Sequence, residues 1–196
     1  MSDLEIQEVA DTIKSGWITT GPKTKELERQ IAKYVGVNRC VCLNSQTACG
    51  EMALRVLGIG AGDEVIVPAY TYSASASIVD HVGAKIVFVD VQEGCLEMDY
   101  DKMEAAITEK TKAIIPVDLG GVPCDYDKIF AIVEKKKSLF QPKNEIQKAI
   151  GRVAVCADTA HAFGASWHGK MCGSIADFSS FSFHAVRTLL LLKAVH

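Results

Sequence analysis

Short runs of apolar, often β-branched residues alternate along this 196-residue chain with segments whose apolar positions recur at helical spacing. This alternation restricts the fold more than any other feature. Residues 64–67, 85–89, 113–117 and 153–157 are nearly continuous apolar runs. Strands of that kind are buried on both faces, whereas a strand with one wet face alternates apolar and polar residues. Residues 72–81, 101–107 and 128–137 carry the helical period between them. Residues 40–43 and the helical stretch 49–57 add a strand, a polar turn and a helix at the front. The pattern predicts an α/β fold, a mostly parallel sheet with helices on both faces. Ahead of it, two helices over 4–15 and 23–35 flank the break at Gly21 and Pro22. Residues 138–152 are polar and read as a surface insertion, and one domain is expected overall.

Composition excludes several classes of function. A net charge of −3 leaves no basic surplus for a phosphate backbone or an anionic membrane, so neither nucleic acid nor membrane is expected as a partner. The start lacks a basic region followed by an apolar one, and no apolar run approaches the about 20 residues of a spanning helix. A cytoplasmic location is expected. The 7 cysteines are scattered without a Cys-x-x-Cys pair and read as small hydrophobes in a reducing compartment. The glycines from Gly58 to Gly62 precede a strand, whereas a dinucleotide fingerprint follows one. A Gly-x-Ser-x-Gly nucleophile motif does not occur, and His161, His168 and His184 lack a metal-site spacing.

Ligands of open α/β sheets gather beyond the carboxyl ends of the strands, so polar residues just after each apolar run are the candidates. Ser45, Thr47 and Ala48 open a helix whose N-terminus either takes a phosphate or is simply capped. Tyr72, after Pro68, either stacks on a flat heterocycle or packs in the core. Asp158, closing an apolar run with His161 three residues on, either holds a protonated ring nitrogen or caps the next helix. The alternation over 178–184 predicts a strand delivering Ser182 and His184 to its end, as phosphate ligands or as solvated residues.

Six blocks in order resemble the DegT/DnrJ/EryC1/StrS family of sugar aminotransferases, which use pyridoxal 5'-phosphate (PLP). They are Gly16-Trp17-Ile18-Thr19-Thr20-Gly21-Pro22, residues 62–68, residues 83–90, residues 111–117, Asp158 to His161, and Phe181-Ser182-Phe183-His184. The resemblance implies the large domain of a fold-type I PLP enzyme, acting on a nucleotide-linked keto sugar in polysaccharide or glycoconjugate biosynthesis. By the same resemblance the amino donor is glutamate, the assembly is a homodimer, and a C-terminal small domain lies outside this chain. Thr47, Ala48 and Ser182 would hold the cofactor phosphate, and Tyr72 would stack on the ring. Asp158 would pair with the ring nitrogen, His161 would sit near the ring hydroxyl, and Thr19, Thr20 and Gly21 would lie on the substrate side.

The resemblance breaks after Val186. Where the family carries the lysine that binds the cofactor covalently, this chain has Arg187. A guanidinium keeps its proton and offers no free amine to an aldehyde, so the chain itself is expected to be inactive. All ten residues from Arg187 to His196 can be read from codons of the family's Lys-Asn-Leu-Thr-Thr-Ala-Glu-Gly-Gly-Ala run shifted by one deleted base. This predicts an out-of-frame tail over 187–196. Two non-aminotransferase readings stand beside it: a lysine-less, dehydratase-like relative, and a non-catalytic product that binds PLP or a sugar nucleotide weakly.

Overall fold

The computed structural model describes residues 2–184, so Arg187 and the predicted tail lie outside the described residues. The chain divides into two compact units, Met1–Cys42 and Leu43–His196.

The first unit holds helices α1 (Asp3–Lys14) and α2 (Pro22–Val35). Ser2 and Glu5 form a capping box that satisfies the free amides at the start of α1. Pro22 begins α2, where a missing N–H costs nothing, and Gly36 ends it in the left-handed region at φ 83°. Glu28 is buried on α2, and its carboxylate accepts the Cys42 N–H at 3.0 Å and the Lys25 ammonium at 2.9 Å. The apolar residues of α1 are spaced as expected, yet Leu4, Ile6, Val9 and Ile13 are all exposed.

In the second unit, helix α3 (Gln46–Val56) precedes β1 (Glu64–Pro68), α4 (Ala74–His81), β2 (Lys85–Val89), α5 (Tyr100–Ala106) and β3 (Thr111–Ile114). Helices α6 (Tyr126–Lys135) and α7 (Glu145–Ile150) lead to β4 (Ala154–Asp158). A two-residue hairpin, β5 (Ser166–Trp167) and β6 (Lys170–Met171), comes before β7 (Phe178–Ser180). The sheet order is β2-β1-β3-β4-β7, and every pairing in it is parallel.

Period-two geometry splits each central strand between two cores. Val65, Val67, Ala113, Ile115, Ala154 and Cys156 face one side, with Leu54 of α3 and Ile78 of α4. Ile66, Ile114 and Val155 face the other, with Met103 of α5 and Ile129 of α6. Continuous apolar runs are the signature of a strand covered on both faces, and β1, β3 and β4 are buried throughout. Strand β2 is an edge, with Phe88 58% exposed.

Three expectations need correction. Residues 40–43 form no strand, because among the described residues no ladder partner faces them, and Val41 and Leu43 are exposed. Strand β7 ends at Ser180, so Ser182 and His184 sit in the irregular segment that follows it. Residues 138–152 are not a plain surface insertion, since they contain α7, which is tied to the end of α3. The side-chain amides of Asn144 and Gln147 both donate to the Leu57 carbonyl at 2.8 Å, and Gln147 is 2% exposed. Lys143 adds an ion pair of 2.6 Å to the buried carboxylate of Asp63. A polar stretch looks the same in sequence whether its amides meet water or a buried carbonyl.

Candidate functional site

Chain order makes β1 the place where the sheet reverses direction, with β2 added on one side and β3 on the other. A crevice forms outside the carboxyl ends of strands at such a switch point. A cleft lies there, lined by Gln46, by Thr71 and Tyr72 after β1, by Asp118 after β3, and by Asp158 and His161 at and after β4.

Asp158 is the last residue of β4 and only 6% exposed. Its Oδ2 accepts the Ser75 hydroxyl at 2.8 Å, and its Oδ1 accepts the Ala160 N–H at 3.1 Å. Since Ser75 spends its proton on Asp158, its oxygen accepts from Thr71, 2.9 Å away. A hydroxyl relay therefore runs from the cleft wall to the carboxylate. Tyr72 is 63% exposed, so the core-packing alternative does not hold for it.

His161 accepts the Gly120 N–H on Nδ1 at 3.2 Å, so in its neutral form the ring carries its proton on Nε2. Gly120 sits at φ 63° in the short turn Leu119–Gly121, a conformation that suits glycine. Asp118, 1% exposed, accepts the Tyr126 hydroxyl on both oxygens at 2.9 and 3.0 Å and the Cys124 N–H at 3.0 Å. Burial pushes its carboxyl up to about 6, and the nearby Asp158 charge adds to the shift.

The N-terminus of α3 is partly used already, because Ser45 caps it by accepting the Ala48 N–H at 3.1 Å. Among the described residues, the Gln46 and Thr47 amides donate to no protein acceptor. Gln46 is buried and donates to the Ser180 hydroxyl at 2.9 Å, which joins this turn to the end of β7. Ser182 is 8% exposed two residues beyond β7. Its hydroxyl oxygen accepts the His184 N–H at 3.4 Å, while the His184 side of the pair is exposed. Thr19 and Thr20 are exposed and Gly21 half-buried in the first unit.

The structure thus brings Tyr72, Asp158 and His161 to one cleft and adds Gln46, Thr71, Ser75 and Asp118, which sequence reasoning missed. Asp118 and Thr71 do follow apolar runs, a signal that could have found them. Gln46 and Ser75 lie within or beside helices and carry no comparable mark.

Together these features define a class: a parallel α/β sheet with its ligand cleft at the switch point. The sequence profile of the DegT/DnrJ/EryC1/StrS aminotransferase family matches residues 1–193. The chain is 42% identical over 185 residues to the spore coat polysaccharide biosynthesis protein SpsC of Bacillus subtilis, covering 94% of this chain and 44% of that one. Against a UDP-4-amino-4-deoxy-L-arabinose–oxoglutarate aminotransferase of Shewanella sediminis the identity is 39%, covering 96% and 45%. A Streptococcus pneumoniae protein assigned as a sugar aminotransferase, solved in its PLP form, superposes with a TM-score of 0.94 at 58% identity, covering 95% of this chain and 48% of that one. This chain belongs to the DegT/DnrJ/EryC1/StrS aminotransferase family. It spans about half the length of these relatives.

Proposed function

We propose that this chain carries the cofactor cleft of a PLP-dependent sugar aminotransferase, which moves an amino group onto a nucleotide-linked keto sugar in polysaccharide or glycoconjugate biosynthesis. One observation carries the reading: a buried carboxylate, Asp158, held by two donors in a cleft it shares with an exposed aromatic, Tyr72. That donor set fits PLP, whose cationic ring nitrogen needs an anion and whose flat ring needs an aromatic face.

Bound PLP supplies an electron sink for the carbon that loses or gains the amino group. The chain's own residues do the rest. Asp158 pairs with the ring nitrogen and keeps its proton in place, while Ser75 and Thr71 hold Asp158. Tyr72 covers the ring and excludes water from it. His161 donates from Nε2 near the ring hydroxyl. The Thr47 amide and the first turn of α3, with Ser182, take the phosphate, and Ala48 contributes there beside its Ser45 cap. By the family resemblance alone, Thr19, Thr20 and Gly21 are proposed as substrate-side residues. The family context supports glutamate as the donor, a cytoplasmic homodimer, and partners that include neither nucleic acid nor membrane. No helix among the described residues is long and apolar enough to cross a membrane.

Arg187 stands where the family's covalent lysine belongs, so we expect this chain to bind PLP without a covalent link and without turnover. PLP titration followed by borohydride and mass analysis tests this. The expected result is binding that dialysis reverses, weakened by Asp158→Asn, with no adduct at position 187. A reduced adduct there, or PLP binding indifferent to Asp158→Asn, would overturn the reading. Sequencing the gene across the codon for Arg187 decides whether the tail is out of frame. An in-frame arginine codon, with no family sequence recovered in another frame, would refute it.

A further inference from the structure

Asp118 is a buried carboxylate beside Asp158 that the proposed chemistry does not use. Every polar atom it presents is committed. Its two oxygens take the Tyr126 hydroxyl from α6 and the Cys124 N–H from the approach to α6. Its own N–H donates to the Asp158 carbonyl at 3.0 Å, across to β4. The Gly121 N–H returns to the Asp118 carbonyl at 3.3 Å, and the Cys124 thiol donates to the Val117 carbonyl at 3.2 Å. Residues 117–124 are therefore wound around one side chain. At the crest of that loop is Gly120, whose N–H meets His161.

Such a network is costly to assemble for packing alone. A buried carboxylate carries a desolvation penalty that an apolar residue of similar volume avoids. The carboxylate does have a geometric consequence an apolar residue lacks, because it draws Cys124 and Tyr126 inward and closes the loop on itself. A backbone N–H held against Nδ1 excludes a proton from that nitrogen. The imidazole is left with a single donor, Nε2–H, in the cleft.

We propose that Asp118 is a positioning residue: it holds residues 117–124 in the shape that sets the Gly120 N–H against His161, and so fixes the imidazole as an Nε2–H donor to the cofactor. The second half of this statement rests on the reading that the cleft takes PLP. The first half does not. The groups facing Asp118 are Tyr126 of α6, Cys124 of its approach, Cys172 after β6, and Asp158 of β4. None of these four is cationic, and the contacts among the described residues that shape the loop are hydrogen bonds.

The test uses the whole chain labelled with 15N, without cofactor, and reads the His161 ring nitrogens by long-range proton–nitrogen correlation at mildly alkaline pH. The wild type should show His161 as the Nε2–H tautomer alone. Asp118→Ala should give a mixture of both tautomers, and Tyr126→Phe, which removes one hydroxyl, should give a smaller shift the same way. The other histidines should not change. If Asp118→Ala does not fold, Tyr126→Phe alone carries the test. An unchanged His161 tautomer in a folded variant would overturn the proposal. PLP titration of the same proteins supplies the second arm, with affinity expected to fall about tenfold in Asp118→Ala, the scale on which partners that orient a metal-bound histidine act. Equal affinity despite a mixed tautomer would overturn the cofactor half alone. A wild type that binds no PLP would count against the proposed function while leaving the tautomer result to judge Asp118.

Discussion

Asp118 and Ser75 are the residues at which charge and burial can be separated from shape. Burial raises the Asp118 carboxyl to about 6 from an ordinary 3.8, so between those values the folded chain holds a proton that the unfolded chain has released. Its contribution to stability is full below about pH 4, declines as pH rises, and levels off above about pH 6, a total of about 3 kcal/mol. Asp118→Asn removes this titration. Urea unfolding across that range should show the variant gaining on the wild type by up to that amount as pH rises, and a difference independent of pH would refute the assignment. Ser75→Ala should cost about 1–3 kcal/mol, because the buried Asp158 carboxylate loses a 2.8 Å hydrogen bond. The same variant should weaken PLP binding, which a purely structural loss elsewhere in α4 would not do. Gly120→Ala should cost about 1 kcal/mol in denaturant unfolding, since the left-handed turn disfavours a Cβ.

The segment from Asn144 to Ile150 shows how an element can be misread from polarity. Two amide side chains converge on one carbonyl at the end of α3, and that convergence holds α7 in place. Gln147→Ala should destabilise the chain by about 1 kcal/mol, because Asn144 still satisfies Leu57. Removing both amides should cost more than the sum of the single losses, and a double-mutant cycle by urea unfolding measures the excess. Additive losses would mean that the two bonds act independently. The strands behave differently. Strands β1 and β4 lie within one residue of their apolar runs, and β3 overlaps its run but starts two residues and ends three residues earlier, because burial on both faces leaves a local mark without fixing the ends. Residues 40–43 carry a similar run and form no strand. Apolar character marks a segment fit for a ladder, while the partner that makes it a strand is set elsewhere in the chain.

For the whole molecule, the exposed Ile6, Val9 and Ile13 on α1 and Phe88 on the edge strand are large apolar groups in contact with water. Surfaces of this kind drive association. The proposed homodimer predicts sedimentation that depends on protein concentration, and a monomer at every concentration would count against it.

Local sequence by itself determined the α/β class, the alternation of helices with the buried strands β1, β3 and β4, and Asp158 as a carboxylate at a strand's end, because periodicity and apolar runs are properties of neighbouring residues. Motif blocks in order carried the family. Only the tertiary structure decided that Asp158 is held by a serine 83 positions earlier, that His161 is fixed by a glycine 41 positions earlier, and that Gln46 meets Ser180 across 134. Nothing local records such pairings. A buried hydrogen bond specifies its partner through the path of the sheet, and the same serine, glycine or glutamine would read as an ordinary solvated residue until the strands that carry its partner are in place.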